Sequence, residues 1–123
     1  MPKKRVIAAG VAAVALTAGL TVGLASGAGA APANCQSGAL CGFTGANFTG
    51  SYGNLHGDNT NLVFSPWTGV DSVYNNGNLC SVRIFSGTSF SGTGVSLPIG
   101  YQYTDLQSQA PVFYHHIYSN DWC

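Results

Sequence analysis

The sequence has 123 residues, four Lys or Arg against four Asp with no Glu, a formal charge of zero and only 7% charged residues. A chain this short makes one domain with a modest core, and it has no basic patch to displace counterions from a nucleic acid or hold an anionic membrane. All six Phe, all six Tyr and both Trp lie beyond residue 31, where Gly, Ser, Thr and Asn are also abundant, so the composition points to β structure.

The chain opens with the basic cluster Met1-Pro2-Lys3-Lys4-Arg5. An uncharged stretch from Val6 to Leu24 follows, and then Ser26-Gly27-Ala28-Gly29-Ala30-Ala31, all small residues. This is the layout of a secretory signal peptide over residues 1–30, with cleavage near Ala30. The competing reading is an uncleaved membrane anchor, since about 18 apolar residues can span a bilayer. The weak hydrophobicity of Ala, Gly, Val and Thr and the placement of the small-residue site favour cleavage. Residues 31–123 then form the domain. There Arg83 stands alone against Asp58, Asp71, Asp105 and Asp121, for a net charge near −3.

Cys35, Cys41, Cys80 and Cys123 are an even set in a small exported domain, which reads as two disulfides. Three pairings are possible. Cys35–Cys41, around the turn Ser37-Gly38, with Cys80–Cys123 is favoured, the second closing a long loop for on the order of 4 kcal/mol in the chain-entropy model. The four Cys contain no Cys-x-x-Cys pair, which argues against zinc.

The next stretch occurs twice. Phe43-Thr44-Gly45-Ala46-Asn47-Phe48-Thr49-Gly50, then Leu55, returns as Phe85-Ser86-Gly87-Thr88-Ser89-Phe90-Ser91-Gly92, then Leu97, at a constant offset of 42. Such a repeat is one duplicated supersecondary unit whose copies bury their apolar faces together. Its letters suit a strand that folds into a tight hairpin, with glycines supplying positive φ, Phe covering the turn, and Thr or Ser bonding nearby backbone. The later half repeats at offset 44: Thr60-Asn61-Leu62 with Thr104-Asp105-Leu106, and Val73-Tyr74-Asn75-Asn76 with Ile117-Tyr118-Ser119-Asn120. The two extra residues fall at Pro98-Ile99-Gly100. About four short strands per copy make a small all-β sandwich of two Greek keys, about residues 35–79 and 80–123. Gln102 to Gln109 is the one stretch suited to a turn or two of helix.

Candidate chemistry is thin. His56 and Asp58 share a loop with no nucleophile placed beside them. His115-His116, read as a strand, point to opposite faces and cannot both ligate one metal without distortion. There is no Gly-x-Ser-x-Gly, His-Glu-x-x-His or phosphate loop, and four scattered Asp give paired-carboxylate chemistry little to use. An enzyme is not expected. Asn47-Phe48-Thr49 fits the glycosylation pattern, but the hairpin already explains it. Trp67, Trp122 and the Tyr residues read chiefly as core.

On these residues the chain from Cys35 to Cys123 resembles the βγ-crystallin superfamily, and within it secreted actinobacterial members of peptidase inhibitor family I36, of the Streptomyces metalloproteinase inhibitor type. Cys35-Gln36-Ser37-Gly38-Ala39-Leu40-Cys41 is similar to that family's Cys-Pro-x-Gly-x-x-Cys opening, Asn47-Phe48-Thr49-Gly50 to its Asn-Phe-x-Gly, and Asp71-Ser72-Val73-Tyr74-Asn75-Asn76 to its Ser-Ser-Val-x-Asn. Calcium-binding members of the superfamily carry two Asn/Asp, two variable residues and Ser/Thr-Ser in each copy. The matching runs here are Trp67-Thr68-Gly69-Val70-Asp71-Ser72 and, aligned on Ile117, Pro111-Val112-Phe113-Tyr114-His115-His116. Both lack the paired acidic positions, and only the first keeps a Ser. No calcium site of that type, no other metal and no cofactor are expected.

The resemblance implies a secreted, disulfide-stapled inhibitor that occupies the cleft of an extracellular peptidase with one loop. The best candidate is Gly77-Asn78-Leu79-Cys80-Ser81, between the two copies. The alternative is a non-inhibitory βγ-crystallin-like module, structural or binding a cell-wall polysaccharide, or a small toxin against competing microbes. A monomer is expected in either case.

Overall fold

In a computed structural model, the structure describes residues 22–27 and 29–123. The expected leader falls largely on residues 1–21 and 28, which lie outside the described residues. Among the described residues, seven strands form two antiparallel sheets: β1 (Leu40–Gly45), β2 (Thr49–Leu55), β3 (Ser72–Asn75), β4 (Val82–Phe85), β5 (Gly94–Leu97), β6 (Gln102–Tyr103) and β7 (Ser119–Trp122). One sheet runs β2-β1-β3-β6, the other β5-β4-β7.

The repeat builds the same hairpin twice. Phe43 pairs across to Ser72, and Phe85 to Ser119. The Ser72 hydroxyl donates to the Gly45 carbonyl at 2.7 Å and accepts from the Phe48 amide at 3.0 Å. The Ser119 hydroxyl does the same for Gly87 at 2.6 Å and Phe90 at 2.9 Å. Thr44 accepts from the Ser51 amide and Ser86 from that of Thr93, both at 2.9 Å. The paired Phe rings sit 5.4 Å apart in the first copy and 5.7 Å in the second.

The glycines divide their work. Gly50 and Gly92 hold positive φ, 83° and 77°. Gly45 and Gly87 do not; a Cβ there would strike the Thr49 and Ser91 hydroxyls. The left-handed backbone also passes through Asn47, Phe48, Ser89 and Phe90, which the sequence reading did not anticipate. Tight bonding through the Ser72 and Ser119 hydroxyls holds these residues where a lone Phe would resist.

These equivalences correct the alignment of the later half. Ser72 corresponds to Ser119, an offset of 47, not 44. Leu62 and Leu106 keep the offset of 44: the Leu62 amide donates to Tyr118, the Leu106 amide to Asp71. Three further residues of the second copy therefore lie between Leu106 and Ser119, in the stretch that holds the short helix α1 (Leu106–Gln109) and the 3-10 turn Pro111–Phe113.

The copies are interlocked. β6, from the second copy, pairs with β3 of the first at Val73↔Tyr103 and Tyr74↔Gln102. Reciprocally, Asn59 of the first copy bridges Asn120 on β7. Between the sheets lies the main core, including Leu40, Val73, Ile84, Leu97, Tyr103, Phe113 and Ile117, all buried. Each such side chain contributes about 1.5–3 kcal/mol by leaving water. Trp67 fills the space that Gly42 leaves on β1, where a Cβ would strike its ring. A smaller cluster of Cys35, Ala39, Cys41, Phe43 and Tyr74 covers the other face of β1 and β3. Residues 22–27, set outside the fold in the sequence reading, pack against it through Val22 and Ala25.

Candidate functional site

The disulfides join Cys35 to Cys41 and Cys80 to Cys123, each with Cα atoms 5.6 Å apart. Both converge on the stretch between β3 and β4. At its start Asn76 accepts from the Gly38 amide at 2.7 Å and donates its own amide to Ala39 at 2.9 Å. Its side-chain amide donates to the carbonyls of Cys35 at 3.2 Å and Gln36 at 3.1 Å. The first disulfide loop is thus sewn to the start of the stretch between β3 and β4. Ser37 adds a hydroxyl bond to the Asn78 side chain at 3.3 Å.

Next, the Gly77 amide donates to the buried Asn75 side chain at 2.7 Å, which in turn donates to Leu97 at 2.7 Å. A Cβ at Gly77 would come within 2.6 Å of the Trp122 ring, so only glycine lets the chain pass there. At the far end Cys80 is bonded to Cys123, whose amide donates to Ser81 at 3.1 Å. Between these anchors stands Leu79, 91% exposed. The braced loop thus presents one large apolar side chain to solvent.

Beside the loop lies a cavity of about 470 Å³, lined by His56, Asp58, Asn78, Leu79, Cys80 and Trp122 among others. His56 and Asp58 both reach it, yet neither faces the other as an acid–base pair. His56 Nε2 lies 2.8 Å from the Gln36 side chain, and Asp58 accepts the Trp122 amide at 2.8 Å. The Trp122 indole Nε1 is buried with no hydrogen-bond partner among the described residues. Trp67 is fully buried in the core. The lining of the cavity thus combines one indole, whose Nε1 has no partner among the described residues, with one imidazole and one carboxylate already engaged in structural bonds.

His115-His116 does not form a strand. His115 takes a positive φ of 63° in the turn after Pro111–Phe113, stacks on Tyr114 at 3.8 Å and donates its amide to Val70 at 2.9 Å. His116 is exposed, and its Nδ1 lies 2.6 Å from the Tyr114 carbonyl. Among the described residues no three His, Cys, Asp or Glu are grouped to hold a metal ion. The corrected offset places Tyr114-His115-His116-Ile117-Tyr118-Ser119 against the calcium-type pattern, so its closing Ser is present after all, as Ser119. Tyr114 and His115 stand at the acidic places, as Trp67 and Thr68 do in the first copy. Arg83 is bound across β4 and β7 by Asp121, which holds its guanidinium charged and leaves no free cation on that strand pair.

Sequence reasoning named the loop but missed its braces, Asn75, Asn76, Ser37 and Trp122. The signal was present in Asn75-Asn76-Gly77, three residues with side chains or backbone suited to holding turns.

Comparison with known proteins bears on both fold and family. The chain is similar in structure to the eye-lens βγ-crystallin domain fold, with 24% identity and a TM-score of 0.63 over 79% of this chain and 93% of that one. A βγ-crystallin from Ciona intestinalis matches with 18% identity and a TM-score of 0.57, covering 70% of this chain and all of that one (100%). IPSE/alpha-1 from Schistosoma mansoni eggs matches with 20% identity and a TM-score of 0.57, covering 72% and 87%. At these identities the likeness is one of fold. Comparison with curated proteins finds no match. The family model described as peptidase inhibitor family I36 matches residues 28–97, more than half of the chain, including the first hairpin, the disulfide-braced loop and the second hairpin. By that match, carried on a βγ-crystallin fold, the chain belongs to peptidase inhibitor family I36.

Proposed function

We propose that this protein inhibits an extracellular peptidase as a monomer, by seating Gly77-Asn78-Leu79-Cys80-Ser81 in the peptidase cleft. Leu79 enters the pocket that selects a large aliphatic side chain. The observation that carries this reading is the 91% exposure of Leu79 between two anchors, the Asn75–Gly77 bond and the Cys80–Cys123 disulfide. A loop fixed before binding loses little entropy on docking, which is how a small rigid domain gains affinity. The braced ends also resist separation if the peptidase cuts between them. Two disulfides, the small-residue leader and the family all support action outside the cell.

The test is titration of purified metallo- and serine peptidases with the protein. Stoichiometric inhibition of at least one peptidase that prefers Leu is expected. Leu79→Asp should weaken it by on the order of 100-fold, the equivalent of one buried leucine, without moving the thermal midpoint. No inhibition at micromolar excess overturns the reading. Retention on chitin, glucan or peptidoglycan in the same preparation, without inhibition, would put the polysaccharide-binding module in its place.

A further inference from the structure

The cavity beside the Leu79 loop, at about 470 Å³, falls in the range of about 300–1,000 Å³ typical of small-ligand sites. Leu79, the Cys80–Cys123 disulfide and Trp122, which packs on the main core, give it apolar and aromatic walls. Its polar groups are few and mostly spent. His56 Nε2 meets the Gln36 side chain, the Asn78 side-chain oxygen accepts from Ser37, and Asp58 Oδ1 accepts the Trp122 amide. The exposed Asp58 keeps its second oxygen, Oδ2, without a donor among the described residues. Arg83 is the one Lys or Arg among those residues, and it is bound to Asp121, so neither offsets the Asp58 charge. Against that one Arg stand four Asp, which leaves residues 31–123 net negative.

We propose that this cavity binds a cationic side chain, Lys or Arg, carried by the protein that the Leu79 loop engages. The long stem of either residue covers apolar surface while its charged end stays at the polar rim, which matches a wall of Leu79 and disulfide that ends at Asp58. The free Asp58 oxygen accepts from the cation, and the Trp122 indole adds a cation–π surface. A sugar ring would need several donors and acceptors where the wall has few left, and an anion would be repelled by Asp58 and by the net charge. A charge at the rim of an interface speeds the approach of complementary partners and turns others away. The site therefore favours a partner with a basic residue beside the pocket that takes Leu79. That this partner is a peptidase rests on the inhibitory reading of the loop; the cation site itself does not.

Titration of the purified protein with Nα-acetyl-arginine amide, followed by nuclear magnetic resonance at low salt, tests this. The probe should shift the Trp122 indole signal and the Asn78 and Leu79 amide signals saturably at millimolar concentration. The neutral isostere Nα-acetyl-citrulline amide should bind about threefold more weakly or worse, the scale of one exposed charge pair. Asp58→Asn keeps an oxygen for the Trp122 amide and should weaken the arginine probe by a similar factor. Asp71→Asn removes the same charge outside the cavity lining and should leave the affinity unchanged. No saturable shift, equal binding of the two probes, unchanged affinity in Asp58→Asn, or equal loss in both variants overturns the proposal. Should Asp58→Asn not fold, the two probes on the unaltered protein decide it. No peptidase is present in this titration, so its failure leaves inhibition through Leu79 standing, and a failure to inhibit leaves the cation site standing.

Discussion

Tyr103 is buried on β6 with its hydroxyl on the Gly23 carbonyl, and burial pushes its pKa up from 10.0 to about 12. The folded state therefore holds the phenol proton more tightly than the unfolded chain does. The stability this gives is complete below pH 10 and is lost as the pH rises through about 12. The thermal midpoint should accordingly fall between those values, and Tyr103→Phe should flatten the fall while costing about 1 kcal/mol at neutral pH for the lost hydroxyl bond. Asp71 is the acid counterpart. Burial, and then repulsion from Asp105, hold its pKa above the ordinary 3.8 despite the opposing amide of Gln107. A raised carboxyl contributes stability in its protonated form, present below pH 3.8 and lost as the pH rises through the folded value. Asp71→Asn keeps an oxygen for the Gln107 amide and removes the repulsion. It should raise the thermal midpoint at neutral pH and leave it less dependent on pH on the acid side, which a series of melts at graded pH would show.

At the scale of the element, the hairpin depends on one hydroxyl. Ser72 and Ser119 are fully buried, and each ties an amide and a carbonyl of its own hairpin. Replacing either with Ala leaves both backbone groups unpaired, and an orphaned buried group costs about 1–3 kcal/mol. Ser72→Ala and Ser119→Ala should therefore destabilise by similar amounts in denaturant melts, and a large inequality would mean the two copies are not equivalent at this point. The repeat itself was legible because Phe43, Gly45, Phe48 and Gly50 are spelled again 42 residues on. Short-range chemistry specifies that turn, so it survives in the letters. The later half was misread by three residues, because Val73-Tyr74-Asn75-Asn76 and Ile117-Tyr118-Ser119-Asn120 look alike at the wrong offset. Nothing local distinguishes that match from the true one. The register is fixed by Ser72 and Ser119 reaching back to hairpins 27 and 32 residues away. His115-His116 was misread for a related reason. A strand was expected there, but Pro111 starts a 3-10 turn and His115 takes a positive φ while its amide bonds to Val70 of the other copy. The candidate loop was legible as a linker between copies, yet its braces come from Asn75, Asn76 and Ser37, whose partners are set by tertiary placement.

The whole molecule is two repeats that cannot be taken apart. Each sheet borrows a pairing from the other copy: β6 completes the first sheet at Tyr103, and Asn59 bridges the second at Asn120. The core between them draws Leu40, Leu62 and Val73 from one copy and Ile84, Leu106 and Ile117 from the other. A single copy would expose that whole face together with an unpaired strand edge, and a few strands without a second layer are marginal in water. The sequence could show that there were two units, because duplication leaves a period. It could not show the exchange, because a strand of two residues such as Gln102-Tyr103 carries no pattern of its own. The exchange leads to a test of cooperativity. The domain should unfold in one transition: fluorescence of Trp67, in the first copy, and of Trp122, in the second, each left as the sole tryptophan, should report the same midpoint as far-ultraviolet circular dichroism of that same variant. Peptides of residues 35–79 and 80–123 should each lack dispersed amide signals alone and gain them on mixing, since each supplies the pairing the other lacks. A fragment that folded by itself would show that the borrowed pairings are dispensable, and the Leu79 loop, which joins the copies, would then be a flexible tether instead of the fixed feature its braces make it.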